Sequence, residues 1–310
     1  MRAAKTGIAL AACLIASLLA AGCESLGEIS QIGTALGVAT GTISQSQAAA
    51  INQSAQAVQK SFEDITPEQE YYIGRAVAAS LLSTRTPYAE QNANDYLNLL
   101  GRSLALYSDR PETFGGYHFL LLDTDEINAF AAPGGLVLVS RGLLRCATSE
   151  DTVAAILAHE IGHVAKEHGL QAIKTSRITT ALTSVAITAA ETVGTEEVAK
   201  LTSVFKDSIN DITSTLVNSG YSRTLEFEAD RQALVILQRV GYDPRALEDM
   251  LKVMETKLKP GGLDFAKTHP DPRDRIAEIE KSLAGTPAVA AAPAAAKARQ
   301  ARYQAALGKV

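Results

Sequence analysis

The 310-residue sequence predicts a mainly helical α+β chain with a small sheet, on three observations. Apolar residues recur at helical spacing through most of residues 64–284. Two short runs, Tyr117 to Leu122 and Leu136 to Ser140, read as strands. Aromatic residues are only 5%, with no Trp and abundant Ala, which suits close helix packing and argues against a tryptophan-anchored β-sandwich. Hydrophobic residues at 46% and charged residues at 20% describe a globular chain able to bury a core. The net charge of −5, without a basic run, excludes nucleic acid as a partner.

The chain opens with an export segment, residues 1–22. Arg2 and Lys5 precede the uncharged apolar run Ile8 to Ala21, and Leu19-Ala20-Ala21-Gly22-Cys23 closes it with small residues before a cysteine. A run of 14 residues falls short of the roughly 20 that cross a bilayer, so lipid attachment at Cys23 accounts for it better than an uncleaved anchor. A competing box, Leu10-Ala11-Ala12-Cys13, leaves too short an apolar core. The ending resembles the bacterial lipobox, and Glu24 is not the Asp that retains Gram-negative lipoproteins at the inner membrane. The resemblance implies anchoring on the periplasmic side of the outer membrane. Removing Arg2 and Lys5 takes −5 to −7. Cys146 then remains as the free thiol, read as a buried small hydrophobe.

Residues 23–63, the lipidated cysteine and a Ser/Gln/Ala/Thr/Gly-rich stretch, suit a tether. Thr66-Pro67-Glu68-Gln69 is a helix start with Thr as cap, Pro at the first position and Gln completing a capping box, and the helix runs to about Leu82. A second helix covers about Glu90 to Tyr107, with Tyr96, Leu97, Leu100 and Leu104 on one face. The two strands follow, the second after the turn Pro133-Gly134-Gly135. A helix starts at Thr148 to Asp151 and runs to about His168, with Gly169 beyond its end. Residues 170–222, Thr/Ser/Ala/Val-rich, form either a mobile lid or two packed helices. Helices over Leu225 to Val240, after Asp243-Pro244, and from Asp271-Pro272 to about Leu283 complete the domain. The Ala/Pro-rich tail, residues 285–310, reads as low-complexity and disordered.

His159-Glu160-Ile161-Gly162-His163 carries the chemistry. On a helix, imidazoles four residues apart share a face and can reach one ion, with Glu160 beside it. Imidazole suits zinc, and a catalytic zinc takes three protein ligands with one position left for water. His168 lies nine residues after His159, about 900° around the helix and therefore on its opposite side, so it is not read as the third ligand. Glu226 and Asp230, on a later helix, share a face. One carboxylate could bind metal while the other accepts a hydrogen bond from a ligating imidazole; alternatively the pair belongs to an exposed acidic face. Glu228 points about 200° away and is read as solvated.

These stretches resemble the gluzincin metallopeptidases that include the CAAX prenyl protease and the HtpX heat-shock protease. The resemblance is carried by Asn128-Ala129-Phe130-Ala131-Ala132-Pro133-Gly134-Gly135 with Arg141-Gly142-Leu143-Leu144, by the HEIGH stretch, by Ser222-Arg223 leading into Glu226-Phe227-Glu228-Ala229-Asp230, and by Thr268-His269-Pro270. Together they cover about residues 64–284, in the short lipoprotein form. The resemblance implies a zincin-like domain whose small sheet borders the cleft with an edge strand. It implies one Zn²⁺ per chain on His159, His163 and Glu226, with Glu160 as general base, Asp230 supporting a ligand, and Arg223 structural or electrostatic. Gly135, Leu136, Val137, Leu138 and Val139 would hold an extended substrate by main-chain pairing. His118 and Phe130 read as fold residues.

His269, between prolines, either stabilises the oxyanion, occupies the fourth zinc position and keeps the enzyme latent, or caps the last helix. The expected activity is endopeptidase cleavage of unfolded or misassembled envelope polypeptides, with outer-membrane assembly machinery as a partner and membrane contact through the lipid. A proteolytically silent chaperone and a structural lipoprotein with vestigial zinc are the alternatives. The intact Glu160 argues against both.

Overall fold

A computed structural model describes residues 65–171, 213–257, 269, 271–285, 289 and 291–310, with a few positions between 35 and 52. The export segment, Cys23, nearly all of the tether and residues 172–212 of the lid-or-helices segment lie outside the described residues. The named elements belong to one compact unit, Ile65–Ala172 with Ile209–Val310.

Helix α1, Pro67–Leu82, starts on the expected reciprocal cap between Thr66 and Gln69. Helix α2, Gln91–Ala105, buries Leu97, Leu100 and Leu104 and packs against strand β1, His118–Leu122. Strand β2, Ala129–Ala132, leads through the Pro133–Gly135 turn into strand β3, Leu136–Ser140. No strand signal marks β2, because four small and aromatic residues without alternation carry no period-two pattern. In the turn, Gly134 and Gly135 adopt φ of 76° and 95°, the left-handed region where a side chain would be strained.

The sheet order is β1-β3-β2, with β1 parallel and β2 antiparallel to β3. This corrects the reading of Leu136 to Val139 as the substrate-holding edge. Strand β3 is central, both of its edges are paired, and Gly135 lies in the turn before it. The two edge strands differ. The outer side of β1 is closed by α2, whose Asn98 and Asn94 side-chain oxygens accept from the Phe119 and Leu121 amides. Strand β2 has no second partner strand among the described residues. An unclosed edge is the one that can take another strand.

Short helix α3, Arg141–Leu144, follows β3 and is capped by Ser140. Helix α4, Glu150–Ala165, is buried at every position from Thr152 to Val164, so it forms the centre of the core rather than one amphipathic wall. It ends three residues earlier than expected, and Glu167 at φ 56° turns the chain. Helix α5, Arg223–Val240, packs along α4 and ends at Gly241 in the left-handed conformation. The two helices meet at Gly162, where an added Cβ would lie 2.8 Å from the Ala229 carbonyl oxygen. Only glycine allows that approach.

Helices α6, Ala246–Lys257, and α7, Pro272–Ser282, pack on each other. The tail is not disordered as expected, because Pro293–Leu307 forms helix α8 on α2 and α4. Alanine-rich composition is compatible with helix, and specific polar contacts hold this one. Arg302 pairs with Glu150, Arg299 lies 3.2 Å from Asp151 and 4.1 Å over the Tyr242 ring, and Tyr303 donates to the Ala147 carbonyl. Cys146 is a buried free thiol, as expected.

Candidate active site

Helix α4 delivers His159, Glu160 and His163, and α5 delivers Glu226 and Asp230; all five are buried. The Nε2 atoms of His159 and His163 face each other at 3.1 Å. Glu226 closes the triangle, with Oε2 3.5 Å from His159 Nε2 and Oε1 3.4 Å from His163 Nε2. His269, just before α7, joins them through Nδ1, 2.7 Å from Glu226 Oε2. One ligand atom from each of these four residues can be chosen so that all lie within 4.8 Å of one another, the one such group among the described residues.

The donor set fits a divalent metal. Two imidazole nitrogens and a carboxylate oxygen suit a borderline ion such as zinc. Glu226 Oε1 is buried without a hydrogen-bond donor, a costly arrangement that an ion would relieve. Burial alone would raise the Glu226 carboxyl, but the imidazoles of His269, His163 and His159 outweigh it and hold the group well below the usual range. Burial pulls His163 well down. His159 behaves oppositely: despite burial and the nearby Arg275, the Asp230 and Glu226 carboxylates raise it to about 9.

Asp230 lies where the helical spacing put it, its Oδ1 2.9 Å from His159 Nδ1. With a carboxylate accepting at Nδ1, the His159 Nε2 lone pair is left for an ion. Asp230 is in turn gripped at both oxygens by Arg275, at 2.8 and 2.6 Å. Arg275 was not read from the sequence, although a signal was there. On α7 the buried positions are Pro272, Arg275 and Ile279, so an arginine occupies the core stripe of an amphipathic helix. Arg223, named from the sequence instead, is exposed and pairs with Asp274 at 3.0 Å, touching no ligand.

His168 also departs from its expected place. The turn at Glu167 folds it back, so that its Nδ1 lies 2.9 Å from His163 Nδ1 and its Nε2 lies 3.5 Å from Glu228 Oε2. It remains outside the ligand group, but it is fully buried rather than on a far face. Glu228 is half-exposed and faces His168 instead of being fully solvated. Tyr221 stacks on His163, ring centroids 4.5 Å apart and planes 20° from parallel.

Glu160 opens onto a cavity shared with Ala129 and Ala131 of β2, Leu216, Gly220, Tyr221 and His269. The edge strand beside the cleft is therefore β2. Burial raises the Glu160 carboxyl from its usual value, which makes it a better proton acceptor than an exposed glutamate. His269 is buried in this site, and Asp271 supplies the cap of α7, so the reading of His269 as the cap falls. His118 lies exposed at the start of edge strand β1, while Phe130 is core.

Known proteins resemble this chain over the region that carries the site. The chain is 30% identical over 215 residues to the beta-barrel assembly-enhancing protease of Escherichia coli K12, covering 67% of this chain and 42% of that protein. It is 31% identical over 162 residues to the mitochondrial metalloendopeptidase OMA1 of Schizosaccharomyces pombe, covering 50% of this chain and 43% of that one. The chain thus spans less than half the length of these relatives. The family model described as peptidase family M48 matches residues 91–283, which include all four residues of the buried group. On that match, over more than half of its length, the chain belongs to peptidase family M48.

Proposed function

We propose that this chain is a zinc-dependent endopeptidase for unfolded or misassembled envelope polypeptides, anchored through Cys23 on the periplasmic side of the outer membrane. The observation that carries the reading is the convergence of His159, His163 and Glu226 in one buried group, with Glu160 facing the same cleft as β2, which has no second partner strand among the described residues. His159, His163 and Glu226 would hold one Zn²⁺, which when bound acidifies a water and polarises the scissile carbonyl. The Glu160 carboxylate takes the water's proton and passes it to the leaving amine. An extended substrate pairs its main chain with β2, which tolerates many sequences and suits polypeptides without a fold. The name of the Escherichia coli relative supports an envelope location and outer-membrane assembly machinery as a partner. Zinc analysis with casein cleavage, with and without chelator, tests the reading. One zinc per chain, chelator-sensitive cleavage, and no cleavage by Glu160→Gln with zinc retained are expected; undiminished turnover by that variant would falsify it.

The placement of His269 favours a latent resting form. Its ring lies against Glu226 in the ligand group, so it competes with water for the open position. His269→Ala then raises peptidase activity; a fall would instead favour the oxyanion role.

A further inference from the structure

The structure assigns His168 and Glu228 a joint task, fixing the tautomer and direction of the His163 imidazole. This makes His168 a positioning residue for the metal site, and it rests on reading His163 as a zinc ligand. The Nδ1 atoms of His163 and His168 are 2.9 Å apart, so one proton lies between them and either ring could supply it. If neutral His163 accepted that proton's hydrogen bond, its own proton would sit on Nε2, aimed at His159 Nε2 and Glu226, and would block an ion. If His163 donates from Nδ1, its Nε2 lone pair faces the group.

The other nitrogen of His168 decides between these. Its Nε2 faces Glu228 Oε2 at 3.5 Å, and an ionised carboxylate only accepts. His168 therefore carries its proton on Nε2, and as a neutral, fully buried ring it leaves Nδ1 bare to accept from His163. The polarity runs from His163 to His168 to Glu228, and the His163 Nε2 lone pair is left for the ion. Asp230 does the same for His159 in one step. Two neighbouring features make the longer path possible: the turn at Glu167, which returns His168 to the site, and the stacked Tyr221 ring, which fixes the plane of His163.

The test measures Zn²⁺ affinity of the full chain by competition with a chromophoric chelator, and the His163 tautomer of the metal-free protein by nitrogen-15 NMR. His168→Leu should weaken zinc binding about 10–100-fold, the usual cost of losing a residue that orients a ligand. His168→Gln, whose amide can accept from His163 and donate to Glu228, should recover most of that loss. Glu228→Ala should cost less, about 3–10-fold, since water can replace a half-exposed carboxylate. His163 should be protonated on Nδ1 in the unaltered protein and mixed in His168→Leu. Unchanged zinc affinity in His168→Leu, or an Nε2 proton on His163 in the unaltered chain, overturns the assignment. Failure of the unaltered chain to bind zinc overturns the ligand reading instead, and the tautomer still judges the relay. If His168→Leu does not fold, Glu228→Ala decides: unchanged affinity and tautomer there overturn it.

Discussion

The two ends of helix α4 each bury a glutamate system, and they are finished differently. At the start, Glu150 is 1% exposed and fully answered: Tyr242 donates to it at 2.9 Å, Tyr96 donates at 3.3 Å, and Arg302 pairs with it. It also lies in the first turn, where the helix dipole favours an anion. Near the other end Glu226 is equally buried, yet its Oε1 has no donor and its neighbours are imidazoles with converging nitrogens. A closed polar cluster joins α2, α4 and α8 and contributes stability. An open one has room for a partner that the chain itself does not supply. The difference between the two is donor count, not burial.

The largest expected effect separates these roles by exchanging one oxygen for an amide at each end. Glu226→Gln should weaken zinc binding by more than about 100-fold, beyond the usual cost of losing a supporting residue. The metal-free protein should lose stability too, by about 1–3 kcal/mol, because the imidazoles of His269, His163 and His159, which hold the Glu226 carboxyl low, lose their carboxylate. Glu150→Gln should lower stability by a similar amount, about 1–3 kcal/mol, as the pairing with Arg302 is lost, but leave zinc affinity unchanged. Chelator competition and thermal melting measure both. Matching losses of zinc affinity in the two variants would erase the distinction.

Gly162→Ala tests what brings α5 to the buried His/Glu group. The new methyl would meet the Ala229 carbonyl at 2.8 Å and the Gln232 Cβ at 3.2 Å. Backbone must move, at about 1–3 kcal/mol for such overpacking. Because Glu226 stands one turn before Asp230 on the displaced helix, zinc affinity should fall together with the melting temperature. A stability loss with unchanged affinity would show that Glu226 follows α4 by other means.

How much of this was legible before the fold was known depends on the kind of signal. Local signals read well: the Thr66 cap, the stop at Gly241 and the spacing of His159, His163, Glu226 and Asp230 are set within one turn of helix. What failed needed partners distant in sequence. Strand β3 was taken for an edge because strand order is not written in a strand, and four residues of β2 carry no alternation. Helix α8 was taken for disordered because its anchors, Glu150, Asp151 and Tyr242, lie more than fifty residues away. His168 was assigned to the wrong side because a straight helix was extended through a residue at φ 56°.

A smaller effect is expected where α8 meets α4. Arg302 is half-exposed, and Glu150 keeps both tyrosine hydroxyls when it is removed. Arg302→Ala should therefore cost about 1–2 kcal/mol, less than Glu150→Gln at its largest, with zinc affinity unchanged. Urea unfolding of the full chain measures it, and a shift in zinc affinity would mean that the closed and open ends of α4 are coupled.

The smallest expected effect concerns Arg223. It lies next to the Ser222 cap of α5 and within the stretch that carries the family resemblance, which implied a structural or electrostatic role for it. The side chain is 65% exposed and meets Asp274, itself 44% exposed. An ion pair in that setting contributes about 0–1 kcal/mol and is screened by salt. Arg275, the residue after Asp274 on α7, is the arginine at the site instead: it is fully buried and holds Asp230 against His159. Arg223→Ala should accordingly leave zinc affinity within about twofold and the melting temperature within a degree or two. A tenfold loss of zinc affinity in that variant would mean that the outer pair with Asp274 sets the position of α7, and through it the grip of Arg275 on the site.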